Sequence, residues 1–206
     1  MMHLEENNQF WQWFEKQAEG LLKKPSFEVI DELAEQIKKV DPGITAEVSN
    51  CHESIDRELT VTSHCDQSKF ELILDFVRMA PLVSGWQFQA LKPPRGFSFQ
   101  VEGKSGLSIG DWRFVPLKSS PEFTEIGLRI EMTEDDLKNM NDELLHEIIE
   151  EGVGEVLLSL CSHIEYGSSM TPKAISLNSL AETLYSWALR RSPQSFHKYL
   201  QTIEIV

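Results

Sequence analysis

Apolar residues recur along this chain first with helical and then with strand periodicity. Phe10, Phe14, Ala18, Leu21 and Leu22 share one face of a helix predicted over residues 5–22, with Trp11 on its margin. Pro25-Ser26 opens a second helix with Ser26 as N-cap. Its apolar stripe is Phe27, Ile30, Leu33, Ala34 and Ile37, and Asp41-Pro42-Gly43 stops it. Two short alternating runs, Ile44/Ala46/Val48 and Leu59/Val61/Ser63, predict a hairpin around a polar turn. Residues 67–80 are apolar nearly all round and predict a largely buried helix.

Strands are expected next at 86–91, 97–101, 112–117 and 124–132. In the last, Ile126, Leu128, Ile130 and Met132 alternate with Glu125, Arg129 and Glu131, the pattern of an antiparallel sheet with one wet face. Thr133 with Asp136 forms a capping box for a fourth helix, which carries Leu137, Met140, Leu144, Leu145 and Ile148 inward. Val156–Tyr166 reads as a further strand, and a last helix spans 177–191. This order predicts an α+β fold: a curved antiparallel sheet with helices packed mainly on one face. One domain is expected over residues 1–206, with a helical part at 5–40, a sheet-rich core at 44–166 and the C-terminal helix at 177–191. No internal repeat or linker stands out.

Four segments carry a resemblance: Phe10-Trp-Gln-Trp-Phe-Glu15, Asp41-Pro-Gly-Ile-Thr45, Arg57-Glu-Leu-Thr-Val-Thr62, and Ala80-Pro followed by Gly85-Trp-Gln-Phe-Gln-Ala-Leu-Lys-Pro-Pro94. Over residues 10–155 the chain resembles a family of uncharacterised bacterial proteins, a domain of unknown function. The shared succession is an aromatic first helix, a hairpin, a helix ending in Ala-Pro, and a Gly-Trp strand running into Lys-Pro. That family carries no assigned catalytic residues, so the resemblance implies an architecture and no chemistry. The segment after Gly154, with the final helix at 177–191, departs from its pattern.

Charge alters this picture more than composition does. The 206 residues carry a net charge of −14, which argues against sequence-independent nucleic-acid binding. The N-terminus has no signal-peptide pattern, no run is long enough for a membrane helix, and three spaced cysteines make no disulfide framework, so a cytoplasmic protein is expected. The charge is concentrated. Between Glu131 and Glu155 stand ten acids (131, 134, 135, 136, 142, 143, 147, 150, 151, 155) against Lys138 alone. From Ser84 to Ser120 five bases face two acids.

Candidate chemistry is sparse. Cys51-His52 and His64-Cys65 are four soft ligands, but the expected hairpin holds the pairs apart. Gly103-Lys-Ser-Gly106 has the composition of a phosphate loop yet precedes no helix, so a hairpin turn is expected there. Cys161 and His163 fall on one side of an alternating strand. No nucleophile elbow, Walker loop or dinucleotide fingerprint occurs.

The leading expectation is a soluble, non-enzymatic binding or regulatory module. Its acidic helix 134–151 would meet a basic protein partner through Glu143, Glu147, Glu150 and Glu151; Trp13, half-exposed at the edge of the first helix's apolar face, is a second contact or else packs against a neighbouring helix. Two alternatives stay open. One is a metal- or acid–base-dependent enzyme using Glu143, His146 and Glu150, joined by His163. The other is an anion or small-ligand site at the basic corner Lys92, Arg95 and Arg113. No catalytic residue, metal or cofactor is assigned, neither nucleic acid nor membrane is expected as a partner, and the oligomeric state is not legible.

Overall fold

A computed structural model describes residues 3–49, 56–100, 107–117, 126–168 and 171–203. The chain divides into two compact units, Met1–Lys92 and Pro93–Val206, and the division falls inside the Lys92-Pro-Pro-Arg-Gly96 corner.

The first unit runs α1 (His3–Leu22), α2 (Ser26–Val40), β1 (Thr45–Val48), β2 (Arg57–Thr62), α3 (Phe70–Arg78) and β3 (Trp86–Ala90). The β1–β2 hairpin is antiparallel, with Ala46 opposite Val61 as the alternation requires. The β3 strand pairs parallel to β2, with Phe88 beside Leu59. Parallel pairing follows from the connection, because α3 carries the chain back before β3 begins. The core is aromatic. Phe10, Trp11 and Phe14 of α1 meet Phe76, Trp86 and Phe88, with Trp11–Phe76 and Phe14–Trp86 ring centroids both 4.9 Å apart. Trp11 therefore sits in the core rather than on its margin, and its indole donates to the Phe76 carbonyl at 2.9 Å. Gly85, at φ +80°, lets the chain turn against α1; a Cβ there would lie 2.8 Å from Leu22 Cδ1.

Two local expectations change. The buried stripe of α2 is Val29, Leu33, Ile37 and Val40, while Phe27 is 68% exposed. Both stripes contain Leu33 and Ile37, so periodicity alone does not choose between them; packing does. The N-cap of α2 is Pro25, whose carbonyl accepts from Glu28 and Val29 N–H, and Ser26 is the first helical residue. The α3 helix is amphipathic rather than buried all round: Phe70, Ile73, Leu74 and Phe76 are inside, Glu71, Asp75 and Arg78 outside.

The second unit runs β4 (Arg113–Leu117), β5 (Ile126–Glu131), α4 (Glu134–Lys138), α5 (Asp142–Val153), α6 (Glu155–Leu158), β6 (Cys161–Gly167), β7 (Ile175–Ser176), α7 (Leu180–Arg191) and α8 (His197–Leu200). Its sheet order is β6-β5-β4-β7, with β5–β6 parallel and the other pairs antiparallel. Ile126, Leu128 and Ile130 face the core as expected. The capping box forms, Thr133 Oγ1 accepting from Asp136 N–H at 3.1 Å. The acidic helix is interrupted, however: Asn141 starts α5 afresh by accepting from Leu144 N–H at 2.8 Å. Residues 155–158 are helical, so β6 begins only at Cys161. Phe97–Gln100 forms no strand; Phe97 is buried against α5 instead.

The fold is α+β; the described residues form two mixed, mostly antiparallel sheets in place of one curved antiparallel sheet. Each unit contains a hairpin followed by a helical crossover to a third strand parallel to the second. This recurrence has no counterpart in the residues, since only the connections and pairing senses repeat.

Candidate functional site

The ten acids between Glu131 and Glu155 divide into two populations. Glu131, Asp136, Glu150 and Glu155 are buried, at 0, 3, 2 and 0% exposure. Asp136 accepts from Trp112 Nε1 at 2.9 Å, Thr133 Oγ1 at 2.9 Å and Ser108 N–H at 3.1 Å, so one carboxylate joins a helix start, a loop and a buried indole. Glu131 accepts from the backbone N–H of Thr171 at 2.7 Å and from its hydroxyl, with Arg129 Nε 4.0 Å away. A buried carboxylate is retained only with donors of this kind.

The other acids face water. Glu134, Asp135, Asp142, Glu143 and Glu147 are exposed, and Glu151 is half-buried. Lys138 bonds Asp135 at 2.7 Å and, by that hydrogen bond and its charge, holds the carboxyl below the usual range. Partial burial and the hydrogen-bonded Asp142 carboxylate push the Tyr166 phenol up. Glu143 and Glu147, one turn apart with exposed His146 between them, form no ion pair among the described residues. Glu150 lies inside the fold, so Glu143, His146 and Glu150 do not present one set of ligands. No group of three or more His, Cys, Asp or Glu among the described residues could hold a metal ion.

The basic corner is engaged. Lys92 bonds Glu47 at 2.5 Å within the first unit. Within the second, Arg95 reaches Glu151 Oε1 at 2.8 Å, and the N–H groups of Arg95 and Gly96 donate to the carbonyls of Glu151 and Gly152 at 3.1 and 3.0 Å. A helix leaves its last carbonyls unbonded, and this extended segment satisfies two of them for α5. Gly96, at φ +69°, makes the turn, and the Phe97 ring covers Gly152. Arg113 is exposed on β4, opposite Glu131. Trp13 is half-exposed, its ring 5.8 Å from Phe10 and 6.5 Å from Phe14.

Cys161 and His163 do not share a face. The β5–β6 register shifts between Ile126 and Gly127, so Cys161 pairs with Ile126 and His163 with Gly127. Ser162 is the extra residue, and the bulge sends Cys161 inward and His163 outward. His163 then joins Glu165 at 3.7 Å and, through Glu165, Arg129 at 3.8 Å. Burial pushes the Cys161 thiol from 9.0 up to about 12. The fold thus favours the protonated thiol: this contribution to stability is whole below pH 9.0 and is lost as pH rises towards about 12. Iodoacetamide at neutral pH should leave Cys161 unmodified in the folded chain and label it after denaturation; mass mapping that finds it labelled in both states overturns the assignment.

His64 and Cys65 form the turn after β2, both at positive φ (52° and 71°). Cys51, His52 and Gly103–Gly106 lie outside the described residues.

Sequence reasoning missed Arg57, the largest polar side chain inside the first unit at 2% exposure. Its guanidinium donates to the carbonyls of Leu21 at 2.8 Å and Lys24 at 3.1 Å and to Ser26 Oγ at 3.2 Å, and it lies 5.8 Å from the Trp86 ring. The signal was parity: Arg57 shares the inward side of β2 with Leu59 and Val61. Compared with family models, curated proteins and solved structures, the chain gives no match.

Proposed function

We propose that the chain is a binding module whose contact face is the exposed side of α5, with Glu143 and Glu147 as its charged centre and a basic protein segment as its partner. The observation that supports this is the division of the acidic run. Four carboxylates are consumed inside the fold, whereas Glu143 and Glu147 stand outside at i and i+4 with no cation paired to them among the described residues. Like charges at that spacing cost a helix a few tenths of a kcal/mol, roughly, and a bound cationic side chain would return that cost. A field of one sign also speeds encounter with an oppositely charged partner.

Titration with a lysine-rich peptide across a salt series tests the reading. Affinity should fall steeply with salt, and the Glu143→Lys/Glu147→Lys pair should weaken it by about tenfold or more while thermal stability holds. Affinity indifferent to salt, or to that pair of changes, would sink the assignment.

A further inference from the structure

We propose that the chain self-associates through β6, two copies pairing these strands antiparallel about Ile164 so that their two sheets become one. The inference is independent of the acidic face of α5. Among the described residues the β6 strand is an edge, bonded to β5 on one side. It runs seven residues without proline or lysine, the residues that commonly blunt an edge.

Backbone parity decides what the edge offers. Gly167 turns its carbonyl to β5, where it accepts from Met132 N–H at 3.0 Å. His163 and Glu165 share that parity, so Ile164 and Tyr166 turn their N–H and C=O groups outward. An antiparallel two-fold pairing about Ile164 sets Ile164 against its own copy as a hydrogen-bonded pair. His163 then stands opposite Glu165 of the second copy, twice, at non-hydrogen-bonded positions, where facing side chains come closest. An imidazole N–H donates to a carboxylate in either protonation state. A two-fold centred instead on residue 163 or 165 sets His163 against His163 or Glu165 against Glu165. Charge therefore selects the register about Ile164. His163 and Glu165 have side-chain exposures of 63% and 44%, which leaves both within reach of a second strand. The bulge at Ser162 confines regular pairing to the residues that follow it, so the interface is short and the dimer forms at high protein concentration.

Sedimentation equilibrium up to the high micromolar range, with two charge variants and their mixture, tests the pairing. The unaltered chain should dimerise. Glu165→Lys sets Lys against His163, and His163→Glu sets Glu against Glu165, so each alone should weaken the dimer by about tenfold. Mixed in equal amounts, the two should recover it as a heterodimer, because Glu at 163 then faces Lys at 165 and His163 faces Glu165. Glu165→Lys also places a cation beside Arg129 within one chain, but the mixture retains that defect, so recovery reports the pairing itself. A monomer at every concentration, a Glu165→Lys dimer as tight as the original, or a mixture that fails to recover overturns the proposal.

Discussion

Gly152→Ala is expected to destabilise the second unit by about 3 kcal/mol, although alanine is the better helix former. Gly152 lies in the last turn of α5, and a Cβ built on it would stand 2.1 Å from Phe97 Cε1 and 2.3 Å from its Cζ. The ring has little room to retreat. Phe97 is 4% exposed, and the segment ahead of it is fixed by the Arg95 and Gly96 N–H bonds to α5. Relief must come from lifting that segment, which would free the two helix carbonyls it satisfies. Urea denaturation of the single and double variants checks the mechanism. Phe97→Ala should itself cost about 3 kcal/mol by cavity formation. In its background Gly152→Ala should become neutral or slightly stabilising, the ordinary gain of alanine over glycine in a helix being about 0.5–1 kcal/mol. If Gly152→Ala costs as much without the ring as with it, the close approach is not what requires glycine.

Arg57→Met should cost the first unit about 3 kcal/mol, despite similar length and an apolar side chain at a buried site. The guanidinium closes the end of α1: it bonds the Leu21 carbonyl of the last turn, which also accepts from Lys24 N–H at 3.2 Å, and the Lys24 carbonyl just beyond the helix, where the dipole favours a cation. Methionine fills the space but leaves the Leu21 and Lys24 carbonyls without that donor. Arg57→Lys should recover only part of the loss, because one ammonium cannot reproduce a planar fork that serves three acceptors. Equilibrium unfolding followed by far-ultraviolet circular dichroism measures both. An Arg57→Met chain within about 0.5 kcal/mol of the original would mean that the buried charge costs as much as its bonds return.

Both sites lie in stretches whose elements could be read in advance and whose partners could not. Parity assigned Ala46, Leu59, Val61, Ile126, Leu128 and Ile130 to core faces, and the structure places all of them there. The Thr133 cap was equally legible, because a hydroxyl three residues before an acid has a local partner. The acidic run was misleading for the opposite reason. Charge counts treat Glu131, Asp136, Glu150 and Glu155 as solvated, but donors far along the chain, Thr171 for Glu131 and Trp112 for Asp136, allow burial. The Cys161–His163 pair failed on a single extra residue, since period-two reasoning reverses at a bulge.

By itself, then, the order of apolar and polar residues determined the α+β class, the succession of most helices and strands, and the inward face of each well-alternated strand. These follow from periodicities of 3.6 and 2, which every short window of chain carries. Tertiary structure decided the parallel β2–β3 and β5–β6 pairings, the splitting of the acids into buried and exposed sets, the capping of α1 by Arg57, and the closing of α5 by Arg95 and Gly96. Each depends on groups brought together from distant positions, so it rests on distances that no local pattern encodes.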